Sequence, residues 1–448
     1  MSYGASPPRG CTVAREDNVL RALLYSMNYA PELTGIGKYT GEMAEWLAAR
    51  GFDVTVVTTP PYYPAWRVSA PYSARRYRRE TLRGVKVIRC PLWVPRRVTG
   101  LKRILHLASF AVTSLPVILW SALRFRPSLI FVVEPPLFAA PAALLAARLS
   151  GAKAWLHVQD LEIDAAFELG VLKRGALQKV ALKFESWLMR KFDRVSAISE
   201  RMLARVERKG VAAGRTVVFP NWVELDRIRP LPETSELRSQ HFGNDPVVVL
   251  YSGNMGMKQG FETVVQAAAM LAESSDETIR FVFCGDGVGR ETLETAAKAL
   301  KNITLLPLVP ADRLNELLNA ADIHVLPQRA GSEDLVFPSK LTNMLASGRP
   351  VVAASNPNGQ VATLFADADC GIVVPPGDAG GLAEALRSLA SDAARRRSLG
   401  AAGRKAAERL WDKDAVLATA FEEQIGSLLA RDAQPQWQVS EQRRASAG

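Results

Sequence analysis

Four segments of this sequence are rich in small residues, and two of them add a lysine. They comprise residues 31–37, 251–260, 284–290 and 336–340, and each joins a predicted strand to a predicted helix. Glycines let backbone N–H groups approach an anion, and a lysine supplies a positive charge. A tight turn or a plain capped helix is the alternative for each segment. The candidate ligand-binding residues in these segments are Gly35, Gly37, Gly253, Asn254, Lys258, Gly285, Asp286, Gly287, Pro338, Ser339 and Lys340.

Other nucleotide and metal motifs are missing from the sequence. The loop at residues 31–37 is neither the G-x-G-x-x-G dinucleotide fingerprint nor a P-loop, because no G-K-[ST] follows it. Four cysteines, Cys11, Cys90, Cys284 and Cys370, form no C-x-x-C pair and have no histidines at matching spacing. The sequence therefore predicts neither a disulfide framework nor a zinc site, and it fits a reducing cytoplasm.

Two series of alternating strands and helices must position these loops. Continuous apolar runs, such as residues 53–58 and 279–284, are typical of parallel strands buried on both faces. The alternation predicts an α/β fold with two Rossmann-like domains facing a central cleft, where the carboxyl ends of the strands meet. The predicted boundaries are a disordered leader (1–18), a first domain (19–221), a second domain (222–411), a helix packing back on the first domain (412–431) and a disordered tail (432–448).

Basic residues are concentrated in the first predicted domain. The chain has a net charge of +11, and residues 67–103 contain twelve Arg and Lys but one acid, Glu80. Such a block attracts nucleic acid, an anionic membrane or a phosphorylated substrate, and a solvated loop is the alternative. Beyond Tyr72 and Tyr77, no aromatic platform or recognition motif accompanies it. We therefore expect no nucleic-acid partner.

An apolar stretch, residues 106–123, follows this basic block. It is at the short limit for a membrane span, contains Pro116 and interrupts an α/β domain whose sheet continues afterwards. A helix lying in the membrane interface fits these features better, with a buried core helix as the alternative. The sequence therefore predicts a cytoplasmic protein held peripherally at the anionic inner face of the cytoplasmic membrane.

The sequence resembles glycosyltransferase family 4, the group 1 retaining glycosyltransferases of the GT-B fold. The resemblance rests on residues 29–37 and 155–160 in the first domain and on four segments of the second. It covers nearly everything from residue 21 to about residue 411. The first loop, the strand at His157 and Pro338-Ser339-Lys340 are most similar to colanic-acid-type exopolysaccharide glycosyltransferases, often described as fucosyltransferases.

The resemblance implies a transferase that moves a sugar from a nucleotide-sugar donor, held mainly by the second domain, to a lipid-linked saccharide acceptor, held mainly by the first. It implies catalytic roles for His157 near the transferred sugar and for Lys258 and Lys340 at the diphosphate. It also implies that the loop with Gly35 and Gly37 approaches the donor diphosphate and that Gly285 and Gly287 lie near the nucleotide. A core histidine is the alternative for His157, which lies in an apolar strand. No metal and no cofactor besides the nucleotide-sugar co-substrate are implied, in keeping with the absence of a D-x-D-like pair after a strand.

The sequence departs from the family pattern at two loops. The arginine that often precedes the lysine of the second loop is absent, and two glutamates common around a Phe-Pro turn are replaced by Leu335 and Asn343. Asn343 can still form a hydrogen bond, so we count it among the donor-binding candidates. Because of these departures, a nucleotide-sugar-binding protein without transferase activity is the alternative function.

Overall fold

The computed structural model describes residues 19–32, 35–96, 100–161, 163–164, 175–231, 236–242, 246–256, 259–273, 279–331 and 338–430. Within these ranges the chain forms two α/β units, one around an eight-stranded sheet and one around a six-stranded sheet. This confirms the predicted fold class. Residues 1–18, 432–448, Lys258 and Leu335 lie outside the described residues.

Except for β3, the strands follow the apolar runs of the sequence. In the first sheet the order is β3-β4-β2-β1-β5-β6-β7-β8, and in the second it is β11-β10-β9-β12-β13-β14. The strand pairs are parallel except for β3 with β4. The strands are β1 (Arg21–Tyr25), β2 (Asp53–Thr58), β3 (Arg78–Leu82), β4 (Val85–Arg89), β5 (Leu129–Glu134), β6 (Lys153–Val158), β7 (Arg194–Ala197), β8 (Thr216–Val218), β9 (Val247–Ser252), β10 (Ile279–Cys284), β11 (Ile303–Leu306), β12 (Ile323–Pro327), β13 (Val351–Ala354) and β14 (Gly371–Val374).

Helices connect successive strands and cover both faces of each sheet, as parallel pairing requires. They are α1 (Gly35–Ala49), α2 (Gly100–Phe125), α3 (Ala140–Ser150), α4 (Ala176–Met189), α5 (Glu200–Arg208), α6 (Glu236–His241), α7 (Phe261–Glu273), α8 (Arg290–Ala299), α9 (Leu314–Asn319), α10 (Lys340–Ala346), α11 (Gln360–Ala368), α12 (Ala379–Ser391), α13 (Ala393–Trp411), α14 (Lys413–Ala418) and α15 (Gln424–Ala430). A π-helical turn, Thr419–Glu423, joins the last two.

The first sheet has a different set of helices on each face. Helices α2, α3, α4 and α5 share one apolar cluster with the strands, to which they contribute Phe110, Ala143, Met189 and Met202. Helix α1 and the final helices lie on the opposite face and share a second cluster. There Phe421 contacts the rings of Phe131 and Trp155, and Trp46 Nε1 donates to Asp414 Oδ1 at 2.7 Å. The end of the described chain therefore packs on the first domain.

The middle of the basic block, residues 78–89, forms an edge hairpin of the first sheet rather than a loop. Strand β3 pairs antiparallel with β4, and Glu80 accepts from both Arg78 and Arg89. Arg89 is buried and also donates to the backbone carbonyls of Thr59 and Ala30. Two further ion pairs, Arg83 with Glu45 and Lys86 with Asp53, join the hairpin to the rest of the domain. Four of the twelve basic residues of the block are thus paired with acids of the domain.

Helix α2 contains the predicted apolar stretch and begins six residues before it. Among the described helices it is the one long and apolar enough to cross a membrane by length and composition. Its inner side, with Phe110, Ile118 and Ala122, is buried in the core of the first domain, while Val112 and Leu101 on its other side are exposed. The helix therefore combines the two alternatives that the sequence left open, a core helix and an exposed apolar surface.

Candidate functional site

Helices α1 and α10 meet at the cleft between the two sheets. The Tyr39 side chain of α1 shares a hydrogen bond with the side chain of Thr342 in α10. One turn further along α1, Glu42 accepts from Trp222 Nε1 at 2.7 Å. Helix α1 follows the first predicted loop and α10 follows the fourth. The contact between Tyr39 and Thr342 therefore places the helices that follow the first and fourth candidate loops against each other.

The second and third loops pack against each other through their backbones. Met255 N donates to the Asp286 carbonyl at 2.8 Å. A Cβ atom on Gly285 would lie 2.0 Å from the Gly253 carbonyl oxygen, and one on Gly287 would lie 2.5 Å from the Met255 carbonyl oxygen. Side chains do not fit at these distances, so loop packing alone requires glycine at both positions. The tight-turn alternative is therefore enough to explain why residues 285 and 287 are glycines. A contact between these glycines and the nucleotide stays a prediction.

Two polar side chains of these loops, those of Asn254 and Asp286, are exposed at the same edge of the sheet. Asp286 Oδ1 accepts from Gly287 N at 2.7 Å, which stiffens the third loop. The Asn254 carbonyl accepts from the Tyr251 hydroxyl at 2.6 Å, which fixes the second loop to its own strand. Both side chains lie where a bound donor could reach them.

Lys340 is the first residue of α10, and its side chain runs beneath the second loop. Its Nζ lies 5.4 Å from the centre of the Tyr251 ring. A Cβ atom on Gly253 would lie 2.5 Å from Lys340 Cε. Because glycine has no side chain, there is room for the Lys340 side chain at this point. Burial lowers the pKa of Lys340 to about 8. The sequence predicted Lys340 as a candidate. Tyr251, although it begins the second segment, was not among the candidates, because at the end of an apolar strand it looks like any core aromatic.

The first turn of α10 holds three further candidates. The Pro338 carbonyl accepts from Leu341 N at 2.9 Å, and the Ser339 carbonyl accepts from Thr342 Oγ1 at 2.9 Å. The Ser339 side chain makes no capping hydrogen bond of its own. Asn343 Oδ1 is buried and has no hydrogen-bond partner among the described residues. A buried acceptor of this kind is stabilised when a donor group, such as a ligand hydroxyl, reaches it.

Gly35 and Gly37 differ in what surrounds them. Gly35 has a φ of +60°, and the nearest atom to a Cβ there would be Tyr63 Cε1 at 3.9 Å. A Cβ on Gly37 would lie 2.7 Å from both Cβ and Oε2 of Glu32. Glu32 is buried and accepts from the backbone N–H groups of Tyr62 and Tyr63 at 2.9 and 3.0 Å. The small size of Gly37 therefore leaves room for the Glu32 carboxylate, whose hydrogen bonds hold the first loop to the segment after β2.

His157 is buried near the end of β6 and both of its ring nitrogens have partners. Nδ1 lies 2.8 Å from Ser196 Oγ, and Nε2 lies 2.9 Å from Gln159 Nε2. Gln159 in turn donates to Asn221 Oδ1 at 3.0 Å. Burial lowers the pKa of His157 to about 3, so the ring is neutral at physiological pH. Its role near a sugar stays a prediction, and any such role is that of a neutral group.

No group of three or more His, Cys, Asp and Glu side chains among the described residues could hold a metal ion. Cys90, Cys284 and Cys370 are buried free thiols.

Comparison with known proteins identifies the family. The family described as "Glycosyl transferase 4-like domain" matches residues 34–222, and that described as "Glycosyl transferases group 1" matches residues 233–406. The chain is 46% identical over 337 residues to a protein of Escherichia coli (strain K12) named as a colanic acid biosynthesis glycosyl transferase, WcaI; the match covers 73% of this chain and 82% of that relative.

Two solved structures share the fold. A sucrose-phosphate synthase from Thermosynechococcus elongatus superposes with a TM-score of 0.70 at 20% identity, over 92% of this chain and 99% of that one. Anabaena HepE in complex with UDP-glucose superposes with a TM-score of 0.67 at 16% identity, over 91% and 100% of the two chains. Because both family models match and the relative is matched over 82% of its length, this chain belongs to the group 1, family 4 glycosyltransferases of the GT-B fold.

Proposed function

We propose that the enzyme is a retaining glycosyltransferase that takes a sugar from a nucleotide-diphosphate sugar. The acceptor in this proposal is a lipid-linked saccharide of colanic-acid-like exopolysaccharide assembly, met at the inner face of the cytoplasmic membrane. The relative's name supports the pathway, and the nucleotide sugar bound by HepE supports the donor class. The observation that carries the proposal is the half-buried side chain of Lys340, which runs beneath the second loop and places its ammonium 5.4 Å from the centre of the Tyr251 ring.

The surroundings of Lys340 suit a diphosphate. Burial is the cause of its lowered pKa, so its charge is poorly solvated in the absence of an anion. A diphosphate brought to the second loop would compensate that charge and would be stabilised by it as negative charge develops on the leaving group. Asn343, three residues further along α10, offers an unpartnered acceptor for a donor hydroxyl.

The proposed reaction needs no protein base. The acceptor oxygen forms a bond to the anomeric carbon as the bond from that carbon to the diphosphate breaks. The acceptor proton passes to an oxygen of the departing phosphate on the same face of the sugar. The protein positions the reactants and stabilises the diphosphate charge. We propose that Lys340 and Lys258 act in this way without a metal.

A transfer assay with matched lysine variants tests the proposal. We expect Lys340→Ala to lower the transfer rate roughly 100-fold or more, which is typical for loss of a charge-stabilising donor. Lys298→Ala is the control, because Lys298 is exposed on α8 of the same domain. Equal rates for the two variants would overturn the assignment of Lys340.

The donor and the alternative function are tested separately. Thermal shifts with UDP, GDP and dTDP identify the nucleotide, because a ligand that binds only the folded protein raises its apparent stability. Hydrolysis of the matching nucleotide sugar by the purified enzyme is expected at a low rate. Binding without hydrolysis or transfer would support the alternative, a nucleotide-sugar-binding protein.

A further inference from the structure

The second domain has a cavity, which we call the rear pocket, at the opposite edge of its sheet from the candidate site. Its volume is about 400 Å³, within the range of about 300 to 1,000 Å³ that is typical of ligand pockets. Asp322 and Pro350 line it and immediately precede β12 and β13. The second and third candidate loops instead follow the carboxyl ends of β9 and β10, in the same parallel sheet. The length of a strand, roughly 15 Å, therefore separates the rear pocket from the proposed diphosphate site.

The wall of the rear pocket has a surplus of positive charge. Five basic side chains line it against two acids, Asp322 and Glu408, which leaves three positive charges. Asp322 is also paired with Arg238, which is not part of the wall, at 2.9 Å. Among the described residues, neither Arg397 nor Lys405 has an ion-pair partner. The five basic residues are Arg349, Arg396, Arg397, Arg404 and Lys405.

Small residues give the rear pocket its depth. Gly400 of α13 packs directly on the turn after α10, because a Cβ atom there would lie 2.1 Å from the Gly348 carbonyl oxygen. Arg397, Ala401 and Lys405 are spaced four residues apart, so they lie on one face of α13 with the alanine between the two cations. The helix therefore places its cations around a hollow rather than along a filled surface.

Two of the guanidinium groups are held in place by backbone carbonyls. Arg396 Nη1 donates to two carbonyls near the end of α12, at 2.5 and 2.7 Å. Arg349 Nη2 donates to the carbonyls of Leu231 and Asn319, both at 3.1 Å. These carbonyls orient the guanidinium groups but carry no net charge that would cancel theirs. Groups that are fixed before binding lose little conformational entropy when an anion arrives, and the guanidinium fork matches the geometry of a phosphate.

The rear pocket also adjoins the linker between the domains, residues 223–232, which lies between the two family matches. Pro230 of the linker is part of the pocket wall. Arg404 Nη1 donates to the carbonyl of Ile228 in the linker at 2.6 Å and to that of Ala346, the last residue of α10, at 2.9 Å. One arginine of the pocket therefore connects the linker with a helix of the candidate site.

We propose that the rear pocket binds an anion with two or more phosphate groups and that this ligand is an effector of the transfer reaction. A phosphate group carries about −1.5 to −2 charges at neutral pH, so two such groups match the three positive charges of the wall. Through Arg404 the ligand acts on the linker and hence on the relative position of the domains, on which transfer depends. The binding site itself does not rest on the proposed function.

Calorimetric titration with inorganic pyrophosphate tests the site. Arg397→Gln combined with Lys405→Gln, the pocket pair, should weaken pyrophosphate binding about tenfold or more, because it removes two cations that have no ion-pair partner among the described residues. The matched control is Lys298→Gln combined with Lys301→Gln, which removes the same charge from exposed positions of the same domain. The control pair should bind as the parent does.

The titrations are repeated in the Lys340→Met background, which removes the proposed diphosphate site. The rear pocket should still bind pyrophosphate there, and the pocket pair should abolish that binding. Equal affinities of the pocket pair and the control pair, or no pyrophosphate binding by the parent, would overturn the site. If the pocket pair weakens binding but Lys340→Met changes nothing, the rear pocket stands and the placement of the donor diphosphate at Lys340 is wrong.

The transfer rate at saturating donor tests the effector role. A pyrophosphate that only competes with the donor is displaced under this condition, so it raises KM and leaves kcat unchanged. We expect pyrophosphate to change kcat of the parent and of the control pair twofold or more, and to leave kcat of the pocket pair unchanged. A parent whose kcat does not respond, although its rear pocket binds pyrophosphate, would overturn the effector role.

Discussion

At the scale of single residues, Lys340 combines a half-buried position with a charge that depends on pH around 8. Burial lowers its pKa to about 8, so in the absence of donor the side chain loses its proton as pH rises through that value. A bound diphosphate favours the charged form and raises the pKa. Donor binding therefore takes up a proton above about pH 8 and takes up none well below it.

The affinity for a nucleoside diphosphate should be constant below this range and fall as pH rises above about 8. Dissociation constants measured calorimetrically across the range would check this. Lys340→Met should bind weakly at every pH and lose the dependence. A parent protein whose affinity does not change with pH, or a Met variant that keeps the parent's profile, would contradict the placement of the diphosphate at Lys340.

Residue types were easier to predict from the sequence than the reasons for them. The glycines at positions 285 and 287 indicated that another group lies close to the backbone there. In the structure that group is the backbone of the neighbouring second loop. That contact joins segments separated by some thirty residues, so no local pattern reports it. Likewise, the sequence around His157 could not predict the hydrogen-bond partners of this region. Ser196, which contacts His157, and Asn221, which contacts Gln159, belong to other parts of the chain.

At the scale of elements, the start of α1 depends on the fit between Gly37 and Glu32. Gly37→Ala should lower the free energy of unfolding by roughly 2 kcal/mol, because the new Cβ meets a buried carboxylate that supports the segment after β2. Gly426→Ala in α15 is the control, since nothing lies within 4 Å of a Cβ there. It should be stabilising by up to about 1 kcal/mol through helix propensity. Urea denaturation measures both, and effects of the same sign would contradict this account.

Apolar elements were predicted well and charged ones poorly. The buried strands β2 and β10 have the bounds that their apolar runs predicted. Strand β3 was missed because its sequence, RRETL, looks like a solvated charge run, and it is an exposed edge strand held by pairing with β4 and by Glu80. The final helix was predicted as one piece, and the π-helical turn at Thr419–Glu423 divides it. A local register change of this kind depends on packing, here of Phe421 among aromatic rings.

At the scale of the whole molecule, the two domains are coupled at the helices that follow the candidate loops. Tyr39 in the first domain is buried against Thr342 in the second, and Glu42 binds Trp222 at the boundary between them. A transfer reaction between a donor held mainly by one domain and an acceptor held mainly by the other depends on their relative position. These two contacts therefore bear on the rate of transfer more than on binding of the donor alone.

Tyr39→Phe isolates this coupling, because it removes the hydroxyl that reaches Thr342 and leaves the ring packed against Trp222. Loss of one hydrogen bond between the domains should lower kcat by about twofold to tenfold, while the affinity for the nucleoside diphosphate stays near that of the parent. Tyr77→Phe is the control, since the Tyr77 hydroxyl donates to Thr113 within the first domain. Transfer kinetics and calorimetry on the two variants give the comparison. A Tyr39→Phe enzyme that loses donor affinity in proportion to kcat would show that Tyr39 supports the donor site itself rather than the arrangement of the domains.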